Sequence, residues 1–171
     1  MPRFVLLTAL TLLCSLSSEA AAQRQKLQST AEGNAAPTLT ISGKVGGKNH
    51  QASGPGSCQH APDASIRGVS ASLWMVQFSG GDGGGVKQLN LTLWRPKDGS
   101  SDQVSLVFDT KSGSHRVETG GTAENQGEAT VVILPNGPGG RLEISGKDGD
   151  GKPMQVTIDC PAFAGVEAEG G

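Results

Sequence analysis

Gly139–Cys160, GGRLEISGKDGDGKPMQVTIDC, decides the fold class of this chain. Two alternating runs flank a turn built from Asp and Gly, and the second run ends on a cysteine. Leu142 and Ile144 share one parity of the first run, and Met154, Val156 and Ile158 share one parity of the second. That period of two is the pattern of half-buried strands in a hairpin. A two-residue loop would set Glu143 opposite Met154, on the wrong face. A type I turn over Asp148–Gly151, with Gly151 as a left-handed bulge residue, pairs Ile144 with Met154 instead. Cys160 shares the parity of Ile158 and is expected to point inward.

Three cysteines are present. Cys14 lies in the apolar run Phe4–Leu16, which follows Met1-Pro2-Arg3 and precedes Ala20-Ala21-Ala22. This is the pattern of a secretory signal peptide, residues 1–22, cleaved after Ala22 to leave Gln23 at the new N-terminus. Leu13 before Cys14 does not fit a lipid-modified cysteine. No later apolar stretch approaches the roughly 20 residues of a membrane-spanning helix. Cys58 and Cys160 remain, and an even count in an oxidising compartment favours a disulfide. The loop it closes holds on the order of 100 residues, for which chain entropy suggests at most about 4–5 kcal/mol.

Working back from the closing hairpin, short alternating runs recur. Leu39, Ile41 and Val45 form a first inward set, and Gly46-Gly47 suits a two-residue turn. That turn sets Val45 opposite Lys48, Gly43 opposite His50 and Ile41 opposite Ala52, with His50 on the core side. Gly54-Pro55-Gly56 is expected to end the second strand and residues 60–63 to form a loop. Residues 66–78 are apolar on both parities, as in a strand covered on both faces. Leu89, Leu91 and Leu93 oppose Gln88, Asn90, Thr92 and Trp94, which puts Trp94 on the polar face. Val104, Leu106 and Phe108 follow, then a short polar edge strand at 115–119. Ala129–Leu134, apolar and β-branched, is expected to be a buried strand. Nothing after the signal shows helical spacing. The fold class is all-β, an antiparallel β-sandwich or partly closed barrel of about eight short strands with one disulfide. Residues 23–37 read as a flexible leader, 38–160 as the β-domain and 161–171 as a flexible acidic tail.

Composition agrees. Gly is abundant at 26 residues, aromatics make up 4%, and Tyr is absent, which removes the tyrosine corner of immunoglobulin-like domains. Net charge is −2 with both signs scattered, so no basic stripe offers itself to nucleic acid.

The stretches ISGKVGGKNHQASGPGSC, residues 41–58, and GKPMQVTIDC, residues 151–160, resemble the mycobacterial lipoprotein antigen family. In that family a signal and a low-complexity linker precede a β-rich domain with one disulfide. The resemblance covers the two ends of the domain, and it implies a surface or envelope role without enzymatic activity. The chain departs from the family in lacking a lipobox cysteine, which counts against membrane anchoring.

Several chemistries can be weighed on residue type and spacing. His50, Cys58 and His60 suggest a metal set, but a disulfide sulfur is no longer a thiolate ligand. Asp148-Gly149-Asp150-Gly151 resembles the opening of a calcium loop, yet Lys152 stands where the next ligand belongs, and a tight turn explains the residues. No G-x-S-x-G elbow occurs, and His115 is the histidine placed to reach an exposed face. Glu118 and Glu128 read as solvated surface. Trp94, with Arg95 beside it, is the residue marked for binding a sugar or a protein partner. The simpler alternative is that a second layer covers its ring. The expectation is therefore a secreted or periplasmic, non-catalytic β-domain with no cofactor, binding an unidentified protein or carbohydrate. Two alternatives are a periplasmic small-ligand or metal-binding protein using His50 and His60, and a hydrolase whose site is formed only in the fold.

Overall fold

The computed structural model describes residues 36–80, 84–120 and 127–166. The expected signal, nearly all of the leader and the last five residues lie outside these. The fold is all-β, a single curled antiparallel sheet of nine strands forming a half-barrel. In chain order the strands are β1 (Thr38–Val45), β2 (Lys48–Ile66), β3 (Val69–Ser79), β4 (Val86–Pro96) and β5 (Gln103–Thr110). They continue with β6 (Gly113–Glu118), β7 (Glu128–Asn136), β8 (Gly139–Lys147) and β9 (Pro153–Cys160). A tenth, β10 (Ala164–Gly165), pairs with β2 in parallel.

The strand order β6-β5-β4-β3-β2-β1-β9-β8-β7 is a meander whose last strand returns to its first. Every neighbour is therefore consecutive around the ring except at one place. β6 and β7 face each other as free edges, and the barrel stays open there. Alternate residues of each strand point inward, and Leu39, Ile41, Leu91, Phe108, Ile144 and Ile158 are among the residues of the resulting core. Gly43 allows this packing: a β-carbon there would stand 2.7 Å from Cζ of Phe108, which crosses the interior from β5.

The first hairpin has the expected register, with Val45 opposite Lys48, Gly43 opposite His50 and Ile41 opposite Ala52. The Cys58–Cys160 disulfide is present, with Cα atoms 6.0 Å apart. β6 is an edge strand, as its polar sequence suggests. Both parities of β3 are covered: Val76 and Phe78 enter the main core, while Leu73 joins Ala61 and Ala64 in a second, smaller cluster.

Six local expectations are corrected. The closing hairpin pairs Ile144 with Val156, not Met154, and Lys147 with Pro153. The expected turn over Asp148–Gly151 is present: the Gly151 amide donates to the Asp148 carbonyl at 2.8 Å, and Gly151 has a φ of 77°. The Asp148 amide donates to the Lys152 carbonyl at 3.0 Å, so Asp148 stands opposite Lys152 and the ladder counts back to Val156, not Met154, opposite Ile144. The Asp148 carboxylate also accepts the N–H groups of Asp150 and Lys152 and fixes the turn. The shift is by two residues, so every apolar side chain keeps its face.

Gly54-Pro55-Gly56 does not end β2. It is the point where the strand changes partner, from β1 over Lys48–Pro55 to β3 over Gly56–Ile66. Proline is tolerated at such a corner, and the glycines leave room for it: a β-carbon on Gly56 would lie 2.6 Å from Leu39 Cδ1. Residues 60–63 thus belong to β2, with a register shift between Ala61 and Ala64. The run 66–78 is split by a turn at Arg67-Gly68, whose φ values of 50° and 79° suit the tight turn of a twisted hairpin.

β7 is an edge strand, not a buried one: Val131 faces the core, but Val132 and Leu134 are exposed. An apolar β-branched run specifies a strand without specifying that both its sides have neighbours. Finally, the expected flexible tail is ordered over its first part. Phe163 and Val166 pack against the two clusters, because the backbone that leaves Cys160 turns back across β2.

Candidate functional site

Trp94 and Arg95, expected to act together, point to opposite faces because successive residues of a strand must. Arg95 is directed inward. Its Nε lies 3.1 Å from both carboxylate oxygens of Asp102, and its Nη2 donates to Asp102 Oδ2 at 2.7 Å and to the carbonyl of Val131 at 2.9 Å. The hydrogen bond to Asp102 holds the guanidinium pKa above its ordinary value. Arg95 therefore bridges β4 to β7 near the open seam, and its guanidinium also stands 5.6 Å from the centre of the Trp74 ring.

On the far side of Trp74 lies His60, stacked with centroids 4.5 Å apart and planes within 10°. Phe163 meets His60 edge-on at 6.2 Å. Burial lowers the His60 pKa, and its Nε2 is enclosed without a hydrogen-bond partner among the described residues. The ring belongs to a layered group, Phe163, His60, Trp74 and Arg95, that ties the strap after Cys160 to the inner face.

Trp94, on the outer face, packs against the cluster of Ala61, Ala64 and Leu73 together with Met75 and Val166. Trp94 is part-buried, and Val166 of the C-terminal segment packs on the same cluster.

The histidines do not converge. His50 and His60 sit ten residues apart on β2, which at about 3.3 Å per residue separates them by far more than a coordination sphere. His50 is buried beside Phe108, with its Nε2 3.5 Å from Ser112 Oγ. His115 is buried, not exposed, and its Nδ1 lies 2.8 Å from Asp148 Oδ2. The Ser–His and His–Asp contacts are made by different histidines, so they do not chain into a triad. Among the described residues no three His, Cys, Asp or Glu side chains are grouped to hold a metal ion.

The sequence marks Asp148 only as a turn residue, and the structure adds its contact with the buried His115. Burial pushes its carboxyl up, but bonds from His115 and from the N–H groups of Lys152 and Asp150 outweigh this and hold it below the usual range. The amide of Gly149 donates to the carbonyl of Arg116 at 2.9 Å. The β8–β9 turn is thereby latched onto β6 across the seam. An Asp opening a Gly-rich turn is the one available signal, since such residues bond to backbone N–H groups two positions on.

The outer face of β1, β9, β8 and β7 offers the largest apolar exposure. Val132 is 48% exposed and Leu134 46%. Leu134 borders a shallow groove of about 530 Å³ that also contains Thr40, Asn136, Arg141, Asp159 and Pro161. Arg141 Nε and Asp159 Oδ1 form an ion pair across it at 2.7 Å.

Comparison with protein-family models, with curated proteins and with solved structures found no match.

Proposed function

We propose that this chain is a secreted or periplasmic, non-catalytic β-domain that binds a protein partner of the cell envelope through the outer face of β7. The observation that carries the reading is the pair Val132 and Leu134, the exposed large hydrophobic side chains of the described residues, side by side on an edge strand. Isolated exposed aliphatics are ordinary, but two adjoining ones beside a groove are the chemistry of a protein contact. A sugar would call for an open aromatic face; the Trp74 ring is engaged by His60 and Arg95, and Trp94 packs against the cluster of Ala61, Ala64 and Leu73. The disulfide is compatible with an oxidising compartment.

The test is made in producing cells. The mature chain is expected outside the cytoplasm with Gln23 at its N-terminus. A photoreactive residue at position 132 is expected to give a discrete protein adduct that the same residue at exposed Lys111 does not. Equal labelling from the two positions, or retention of the chain in the cytoplasm, overturns the reading.

A further inference from the structure

The second half of β2 has lost a neighbour. β1 ends at Thr38 opposite Pro55, whereas β2 runs on to Ile66 with β3 on one side only. The chain leaving Cys160 turns back and lays β10 on the vacated edge, parallel to β2, with Ala164 opposite Gln59 and Gly165 opposite His60. This hold is slight. It consists of two residue pairs, a Val166 N–H to His60 carbonyl bond at 3.4 Å, and backbone at Ala164 and Gly165 that stays exposed.

Side chains do the anchoring. Phe163 lies edge-on to His60 on the inner side, and its amide donates to the carbonyl of Pro138 at 2.9 Å. Val166 sits on the outer side against the cluster of Ala61, Ala64 and Leu73, on which Trp94 also packs. Beyond the last pair, Ala61–Ile66 carry no strand on that side among the described residues.

From this we infer that the β2 edge is a peptide-accepting site and that the strap 161–166 is its resident, displaceable occupant. The ligand is an extended segment of another chain, added parallel to β2, with an aromatic residue, two small residues and a β-branched apolar residue in that order. The strap itself shows this chemistry: an aromatic ring for His60, small residues where backbone meets backbone, and a β-branched side chain for the Trp94 patch. A longer strand would also bond to the edge of Ala61–Ile66, which the two-residue β10 leaves unused. The strap holds its place because it is tethered at Cys160 and so is present at high effective concentration. This site is separate from the β7 face and stands or falls without it.

The probe is a labelled peptide AFAGVEAE, the sequence of residues 162–169. The protein is the mature chain, unaltered or carrying Val166→Asp, which weakens the strap while the disulfide stays intact. The peptide is expected to bind the variant at least tenfold more tightly than the unaltered chain. Amide shifts should map to Gln59–Ile66 and to the Trp94 indole, and a peptide with Asp in place of its Val should not bind. No binding to a folded variant, equal binding to both proteins, or shifts confined to β7 would each overturn the proposal. If Val166→Asp fails to fold, Val166→Ala replaces it in the same titration, with the same outcomes supporting or overturning the proposal.

Discussion

A β-carbon at position 43 would stand 2.7 Å from Cζ of Phe108 and 3.4 Å from the carbonyl oxygen of Gln155. Gly43→Ala is therefore expected to lower stability by about 1–3 kcal/mol in urea unfolding, the usual cost of overfilling a packed core. Phe108→Leu in the same background should recover part of that loss, because the two side chains share one volume. His60 makes a second prediction at this scale. Its pKa is lowered from 6.5 by burial, and the Arg95 guanidinium lies on the other face of Trp74. The unfolded chain then binds the proton at higher pH than the folded one, so the neutral ring's contribution is full above 6.5 and is lost as pH falls through the folded value. Stability should drop as pH falls below 6.5, and the drop should be shallower in His60→Gln. Asp148 accepts bonds from His115, Asp150 and Lys152. Asp148→Ala orphans these donors at a cost of about 1–3 kcal/mol, and amide exchange in β6 should quicken as the latch is lost. The long-range contacts among these, Gly43 with Phe108, His60 with Trp74 and Asp148 with His115, were not legible in the sequence, since each joins residues far apart along the chain.

At the scale of the element, β2 and β7 are the instructive strands. Gly and Pro punctuate local structure, so Gly54-Pro55-Gly56 reads as an end, yet here it is a corner at which one strand serves both halves of the sheet. The competing influence is tertiary: the pairing with β1 stops where the pairing with β3 starts, and a β-carbon on Gly56 would lie 2.6 Å from the Gln77 carbonyl oxygen and from Leu39 Cδ1. The β8–β9 hairpin shows the converse. Its turn over Asp148–Gly151 is the expected one, and its register differs by two residues from the expected Ile144–Met154 pairing. Its inward set, Leu142, Ile144, Met154, Val156 and Ile158, is legible, because an even shift leaves every side chain on its face. For β7, replacement of Val132 by Lys or of Leu134 by Asp should change stability by no more than about 0.5 kcal/mol, as exposed positions do. Urea midpoints checked alongside photo-crosslinking would separate a lost contact from a lost fold.

At the scale of the whole molecule, a nine-stranded meander is closed at β1–β9 and left open at β6–β7. Two devices span the opening, Arg95 reaching Val131 and the Asp148 turn docked on His115 and Arg116. The disulfide joins residues 102 positions apart and ties the second half of β2 to the end of β9. Its removal in Cys58→Ser/Cys160→Ser should cost up to about 4–5 kcal/mol and lower Tm accordingly. In the unreduced, unfolded protein neither cysteine should react with a thiol reagent, and reaction of both would contradict the bridge.

Alternation of apolar and polar residues was enough to establish strands, their inward faces and the first hairpin's register, because a period of two and an inward parity are written locally. The pairing of Cys58 with Cys160 followed from the cysteine count once Cys14 was assigned to the signal. Only the tertiary structure decided which strands have neighbours on both sides, and so which apolar residues stay exposed. It alone gave Arg95 its partners Asp102 and Val131, set His50 and His60 at distant places on one strand, and brought Val166 back onto the cluster of Ala61, Ala64 and Leu73. Strand pairing is a long-range choice among edges that look alike in sequence. The features that bear on binding, the β7 face and the β2 edge, exist only once that choice is made.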